Sequence, residues 1–304
     1  MEEIFKEKFI ERYKELTDID KFIEYSKKYL RKSIRVNTLK TNVNDVINGF
    51  KKRGYKIEKI PWCKEGFWID GYTIGNTIEH FLGYIYLQEA ASMIPPLALM
   101  PKSSEKILDM CASPGSKTTQ MAALMENKGI IVANDDKIER LKPLTINLQR
   151  CGAANTIITF MKGQWFGQRK EKFDKILVDA PCSGTGAIRK SFKIAQMWNP
   201  HMIKKLCSDQ KKLLSSAFES LRKGGTLVYS TCTLEPEENE EVIDFLLEKY
   251  SDAHLEKIDL NLNSSQPILK FDGKEYNPEV RKCLRIWPQD NDTEGFFIAK
   301  IIKK

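Results

Sequence analysis

From residue 106 onward, short apolar runs alternate with longer stretches whose apolar residues recur every three or four positions. KILDMCA, GIIVAND, NTIITF, FDKILVDAP and GTLVYSTC are runs of strand length. GSKTTQMAALM, KIERLKPLTINLQR, MIKKLCSDQKKLLSSAFESLR and PEENEEVIDFLLEKY carry helical spacing. Pro143 predicts a kink in the second of these helices, and Gly224-Gly225 a stop for the third. Pro236 and the acids after it suit the first turn of the fourth. CLRIWP and GFFIAKI, near Lys304, read as two further strands able to form a hairpin. Strands alternating with helices predict a mainly parallel sheet covered on both faces, with ligands at the carboxyl ends of its strands.

Before residue 75 the texture changes. KFIEYSKKYL reads as a helix, SIRVNT as a short strand, VNDVINGFKKRG as a helix and YKIEKI as another strand, with the aromatics of WCKEGFWID beside them. This predicts a small basic α/β module, residues 1–75, in front of a main domain, residues 76–304. No internal repeat or low-complexity linker separates the two.

Composition narrows the class. The 304 residues are 41% apolar, enough for one large domain with or without a small one. No apolar stretch reaches the roughly 18 residues of a membrane span, and MEEIFKEKFIERYKEL has no signal-peptide core, so a soluble cytoplasmic protein is expected. Seven cysteines, with no CxxC pair, and three scattered histidines suggest neither a disulfide framework nor a metal site. The net charge of +8 is uneven: residues 25–60 hold eleven Lys and Arg against Asp45 and Glu58. Charge alone leaves two readings open, a solvated lysine-rich surface or a phosphate-binding patch.

Three stretches carry chemistry. LDMCASPGSKTTQ, residues 108–120, is a strand, a tight turn and a helix start, and its small residues let backbone N–H groups approach a ligand. Its spacing is neither GxxxxGK[ST] nor GxGxxG. In VAND, Asp135 ends the second strand, where an acid catches ribose hydroxyls in nucleotide-binding sheets. Alone, Asp135 would be an ordinary helix cap; with the loop, it favours an adenosine-containing ligand. In LVDAPCSGTG, residues 177–186, Asp179 should stand at the open sheet edge, with Cys182 in the loop beyond. In YSTCTLEPEENE, Cys232 ends the next strand. Cysteines are usually core residues, but two at the mouths of successive strands, beside an acid, favour reactivity.

These stretches, with SIRVNTLK, YLQEAASMIPPLAL, VANDDKIERL, FDKILVDAPCSGTGAIRK and RIWPQDNDTEGFFIAK, resemble the Nop/Sun family of RNA cytosine-C5 methyltransferases. They run in family order over nearly the whole chain. The resemblance implies a Rossmann-like class I methyltransferase sheet of α/β type, helices on both faces, preceded by the small basic domain as an RNA-binding module. It implies an S-adenosylmethionine loop at Cys111, Ala112, Ser113, Pro114, Gly115, Ser116 and Lys117. It places Asp135 on the ribose with Arg140 beside it, Asp179 between cofactor and target base, Cys232 as nucleophile and Cys182 as the thiol that aids product release. Arg31, Lys32 and Arg35 of the basic segment, and Arg189 and Lys190 beside the catalytic loop, are the expected RNA contacts. No further RNA-binding domain is expected after GFFIAKIIKK. In this compact form the chain is similar to archaeal-type tRNA enzymes, so tRNA is the expected substrate, rRNA the alternative, and a monomer without metal the expected state. One departure stands out: many members carry an acid after the third strand, where ITFMKGQWFGQ has Lys162 and Gly163. Two other classes fit less well. A cysteine acyltransferase would need a histidine near Cys232, and a non-catalytic RNA-binding protein would not need both thiols.

Overall fold

The computed structural model describes residues 5–71 and 73–304. Two helices lead, α1 (Glu7–Lys14) and α2 (Ile19–Lys27). Then come β1 (Ser33–Val36), α3 (Val43–Lys52), β2 (Ile57–Lys59), β3 (Gly66–Ile69), the single turn α4 (Ile78–Phe81) and β4 (Ile85–Leu87). After α5 (Ile94–Leu99) the chain alternates through β5 (Lys106–Asp109), α6 (Ser116–Leu124), β6 (Ile130–Asp135), α7 (Ile138–Cys151), β7 (Thr156–Phe160) and β8 (Phe173–Asp179). It continues with α8 (Lys193–Met197), α9 (Pro200–Ser220), β9 (Leu221–Thr231), α10 (Glu240–Lys249) and β10 (Ala253–Glu256). A small hairpin, β11 (Lys270–Phe271) and β12 (Lys274–Glu275), precedes β13 (Leu284–Ile286), α11 (Pro288–Asn291) and β14 (Phe296–Lys303).

The large sheet has the order β10-β14-β9-β8-β5-β6-β7, with β13 on β14. β5 to β9 pair in parallel, whereas β14 enters antiparallel between β9 and β10. β13 and β14 form the expected antiparallel pair. Successive side chains alternate between two cores: Ile107, Leu177, Val228 and Ile298 face one side, and Leu108, Ile176, Val178, Leu227 and Tyr229 the other. Burial on both faces is what continuous apolar runs in parallel strands demand. The strand order reverses at β5, which pairs with β6 on one side and β8 on the other, so a crevice opens above the carboxyl ends of β5 and β8.

Three local departures have physical causes. α9 ends at Ser220, before the glycine pair, because buried Leu221 pairs opposite Phe173 and starts β9. Residues 222–225 then bulge opposite Asp174, with Gly224 at φ +72° and Arg222 reaching Asp174 at 2.7 Å. α10 starts at Glu240 rather than Pro236; residues 236–238 form one tight turn, ended by Asn239 at φ −116° and ψ −92°. α7 stays helical through Pro143.

The small sheet, ordered β2-β3-β1-β4, is antiparallel throughout. Its edge strand β4 lies at residues 85–87, so the sheet runs past the expected boundary at 75. Ile34 and Val36 of β1 pack with Val46, Ile47 and Phe50 of α3. The alternate side chain, Arg35, faces the main domain instead: its Nε donates to Gln88 Oε1 (2.7 Å) and its Nη2 to Thr119 Oγ1 on α6 (2.9 Å). α1 and α2 do not join the small sheet. Phe9, Tyr13 and Phe22 pack against Trp198 and Trp287 of the main domain. Among the described residues no helix is long and apolar enough to cross a membrane.

Candidate active site

The loop after β5 turns sharply into α6. Gly115 makes the turn at φ +102°, a region that disfavours any side chain. Above it lies a cavity of about 410 Å³ lined by Cys111, Ala112, Ser113, Pro114, Ser116 and Lys117. Asp179, Lys190 and Cys232 line the same cavity. Gly115, Asp135, Arg140 and Cys182, also expected at the site, are not among the lining residues. Asp135 ends β6 and accepts from the N–H groups of Ser113 (3.3 Å) and Lys137 (3.1 Å). Arg140 Nη2 donates to Ser113 O (2.7 Å), and Ser113 Oγ donates to Arg140 O (2.7 Å), so Arg140 braces the loop.

Lys117 is turned away from the loop toward Asp179. Its Nζ donates to Asp179 Oδ2 (2.6 Å) and to Ser92 Oγ (2.9 Å), while Ser230 Oγ donates to Asp179 Oδ1 (2.8 Å). The Asp179 carboxylate is thus fixed from both sides, beside the two thiols. Because β8 and β9 are neighbours, with Asp179 paired to Ser230, their strand-end cysteines meet: Cys182 Sγ lies 3.4 Å from Cys232 Sγ. The hydrogen bond with Cys232, then burial, pushes the Cys182 thiol well above the usual cysteine range. Burial, reinforced by surrounding carboxylates, pushes the Cys111 thiol well up.

Three acids of the cavity, Asp109, Glu89 and Glu294, have no counterpart among the sequence expectations. Asp109, the last residue of β5, accepts from Thr118 Oγ1 (2.7 Å), and its other oxygen is buried without a partner. Burial lifts its carboxyl to about 7. An acid ending the first strand of the large sheet was the signal for it. Glu89 accepts from the N–H groups of Ala91, Ser92 and Glu294, and burial with the neighbouring Glu294 carboxyl lifts it to about 7.

Of the expected RNA contacts, two are corrected. Arg35 is 2% exposed and joins the small sheet to α6, so no phosphate can reach it. The Arg189 guanidinium is fully buried, donating to Thr293 O and Tyr29 O at 3.0 Å and to Asp292 at 2.7 Å. The other three are more open. Arg31 lies 4.0 Å over the Trp68 ring and pairs with Glu58. Lys32 donates to Gly71 O (3.0 Å). Lys190 stands at the cavity rim and pairs with Glu294 at 2.5 Å. Lys27, Lys51 and Lys52 of the basic segment are exposed.

The profile of 16S rRNA methyltransferase RsmB/F matches residues 96–302, and that of the N-terminal domain of 16S rRNA methyltransferase RsmF matches residues 5–90. A tRNA (cytosine(49)-C(5))-methyltransferase of Pyrococcus abyssi is 51% identical over 97% of this chain and 96% of its own length. A ribosomal RNA small subunit methyltransferase F of Shewanella piezotolerans is 45% identical over 94% of this chain, which spans 60% of that protein. Among solved structures, a methyltransferase homologue from Pyrococcus horikoshii superposes with a TM-score of 0.83 at 40% identity, covering 94% of this chain and 90% of the other. NSun6 from the same organism, in complex with an S-adenosylmethionine analogue, superposes with a TM-score of 0.88 at 26% identity, covering 99% of each chain. The thiol pair, the braced loop and these matches over nearly every residue agree: the chain belongs to the RsmB/F (Nop/Sun) family of S-adenosylmethionine-dependent RNA cytosine-C5 methyltransferases.

Proposed function

We propose that this protein methylates carbon 5 of a cytosine in tRNA, with Cys232 as nucleophile and Cys182 as the group that releases the product. The observation that carries this is the 3.4 Å thiol pair beside the Lys117–Asp179 ion pair at one cavity. No histidine is among the residues lining that cavity, which speaks against a cysteine acyltransferase. S-adenosylmethionine supplies the methyl group when bound. The residues present suit it: the backbone of 111–116 approaches the cavity without bulky side chains, and Asp109 offers a buried oxygen still lacking a partner. Asp135 would hold the ribose, with Arg140 fixing the loop around it.

The remaining chemistry belongs to the chain. C5 of cytosine is a poor nucleophile until a thiolate adds to C6 and makes C5 enamine-like. Cys232 forms that bond, and the base must leave its stack to reach it. Asp179, held by Lys117 and Ser230, meets the N3 and amino edge of the base. After methylation the C5 proton passes to Cys182, the C6–S bond breaks, and the 5,6 double bond returns as Cys232 leaves. Cys182 acts as the thiolate in this step, its own proton having passed to solvent, and Cys232 departs as a thiolate.

tRNA is favoured over rRNA because the tRNA-modifying relative matches end to end, whereas this chain spans only about 60% of the rRNA-modifying one. On this reading the protein acts in the cytoplasm as a monomer. The N-terminal module, read through β4, supplies RNA contacts from Lys27, Lys51 and Lys52. Bisulfite sequencing of total RNA from cells with and without the gene tests the proposal. Loss of 5-methylcytosine from tRNA is expected; loss from rRNA alone would overturn the substrate.

A further inference from the structure

The acidic segment after Cys232 spreads its carboxylates over several neighbours, with Glu235 and Glu237 sharing Arg12. Glu235 accepts from Tyr13 Oη (2.8 Å), Arg12 Nε (2.9 Å) and Trp198 Nε1 (3.0 Å). Glu240 pairs with buried Arg285. Only Glu238 reaches both cysteine loops. Its Oε2 accepts from Ser183 N (2.9 Å) and Gln210 Nε2 (2.8 Å). Its Oε1 accepts from Ser183 Oγ and from Thr233 Oγ1 (3.2 Å). Ser183 follows Cys182, and Thr233 follows Cys232. Their hydroxyls lie 2.7 Å apart, with Thr185 Oγ1 2.9 Å from that of Thr233. Gln210 also donates to Pro181 O (2.9 Å), so Glu238 and Gln210 hold the backbone on either side of Cys182. Glu238 is fully buried and does not line the cavity.

We propose that Glu238 is the positioning residue of the thiol pair: its carboxyl ties the Cys182 loop to the Cys232 loop and holds Cys182 where the adduct's C5 proton is removed. The two thiols depend on it unequally. Cys232 is one residue past a strand paired on both sides, and its carbonyl accepts from Gly186 N (2.9 Å). Cys182 sits in a loop whose flanking backbone is tied by Glu238 and Gln210. Loss of Glu238 therefore affects release more than attack. The inference rests on Cys182 as the releasing group.

The test uses the full chain, isotope-labelled S-adenosylmethionine and bulk tRNA from cells lacking the gene. Covalent protein–RNA complex is read on a denaturing gel, and methylated product in solution. In Glu238→Ala and Ser183→Ala, turnover is expected to fall about 10- to 100-fold while single-turnover adduct formation stays within about threefold of wild type. The complex should then accumulate. Glu238→Gln keeps the shape and one acceptor oxygen, and restores most of the turnover. Ser183→Ala removes one hydroxyl from the Cys182 side and decides the matter if Glu238→Ala does not fold. Adduct formation and turnover falling in parallel in folded variants, or turnover unchanged, overturns the proposal. Cys182→Ala separates the two levels. If it accumulates adduct and the Glu238 and Ser183 variants do not, this inference alone fails. If it accumulates none, the release role of Cys182 fails, and this inference with it.

Discussion

Cys232 lies one residue beyond Thr231, the last position of β9 paired to β14, where its side chain still packs against the core on the Val228 face and also lines the cavity. On the proposed mechanism, Cys232→Ala abolishes methyl transfer while cofactor affinity, measured by calorimetry, stays near wild type, because the 111–117 loop is untouched. Cys182→Ala forms the adduct and retains it, seen as a protein–RNA band resistant to denaturant. Asp135→Ala should weaken S-adenosylmethionine binding by about tenfold or more, since a charge-assisted hydrogen bond contributes about 1.5 to 3 kcal/mol; unchanged calorimetric affinity would remove Asp135 from the site. These residues were legible because reactive groups at strand ends leave a local mark: an acid or thiol directly after an apolar run. Glu238 was not legible in the same way. EPEENE is a run of acids, and nothing local distinguishes the one that ties two loops from those that meet Arg12 or Arg285.

The inner strands of the large sheet were readable because burial on both faces makes them continuously apolar, whereas its edge strand β10, AHLE, was not. The shorter β3 and β4 were not, since three or four residues carry too little periodicity to stand out from aromatic loops. α1 shows its apolar spacing in Phe5, Phe9 and Tyr13, but nothing nearby announces a docking partner 222 positions away. Charge counting failed at Arg35 for a related reason. SIRV is a four-residue strand buried along its whole length, and its arginine serves an interface between domains rather than an RNA surface. Arg35→Ala leaves buried Gln88 and Thr119 short of a partner and should destabilise the protein by about 1 to 3 kcal/mol in denaturant titration. The salt dependence of RNA binding should not change. If instead stability is retained and RNA affinity drops, Arg35 belongs to the RNA surface after all.

For the whole molecule, the basic balance and the buried acids make separate predictions. Exposed Lys51 and Lys52 are free to meet phosphates, each contact adding about 0.7 to 0.9 to the slope of log affinity against log salt. Replacing both with alanine should flatten that slope and leave cofactor binding alone; an unaltered slope would mean these charges only solvate the surface. Asp109 acts on stability. Burial raises its folded pKa to about 7, against about 4 when unfolded, so the folded state holds the proton more tightly. Its contribution is full below the unfolded value and is lost as pH rises through about 7. Asp109→Asn, measured without cofactor, should therefore stabilise the protein increasingly from about pH 4 to about pH 8. A stability difference that stays flat over that range would show Asp109 to be charged in the fold.

The antiparallel strand β14 has a consequence for synthesis. Gly295 N donates to Gly186 O, and Gly186 N donates to Cys232 O, both at 2.9 Å, so the backbone of Cys232 is fastened to a segment that follows it in the chain. β9, which carries Cys232 at its tip, gains its second neighbour only with Phe297 to Ile302. On the other side, Tyr13 and Arg12 of α1 have their partner only once Glu235, far along the chain, is in place. Contacts of such long sequence separation form late in folding. A nascent chain can thus brace the turn at Ser113 through Asp135 and Arg140 before its two thiols meet. The order of the contacts along the chain leaves Cys182 and Cys232 without their final setting until β14 has paired with β9.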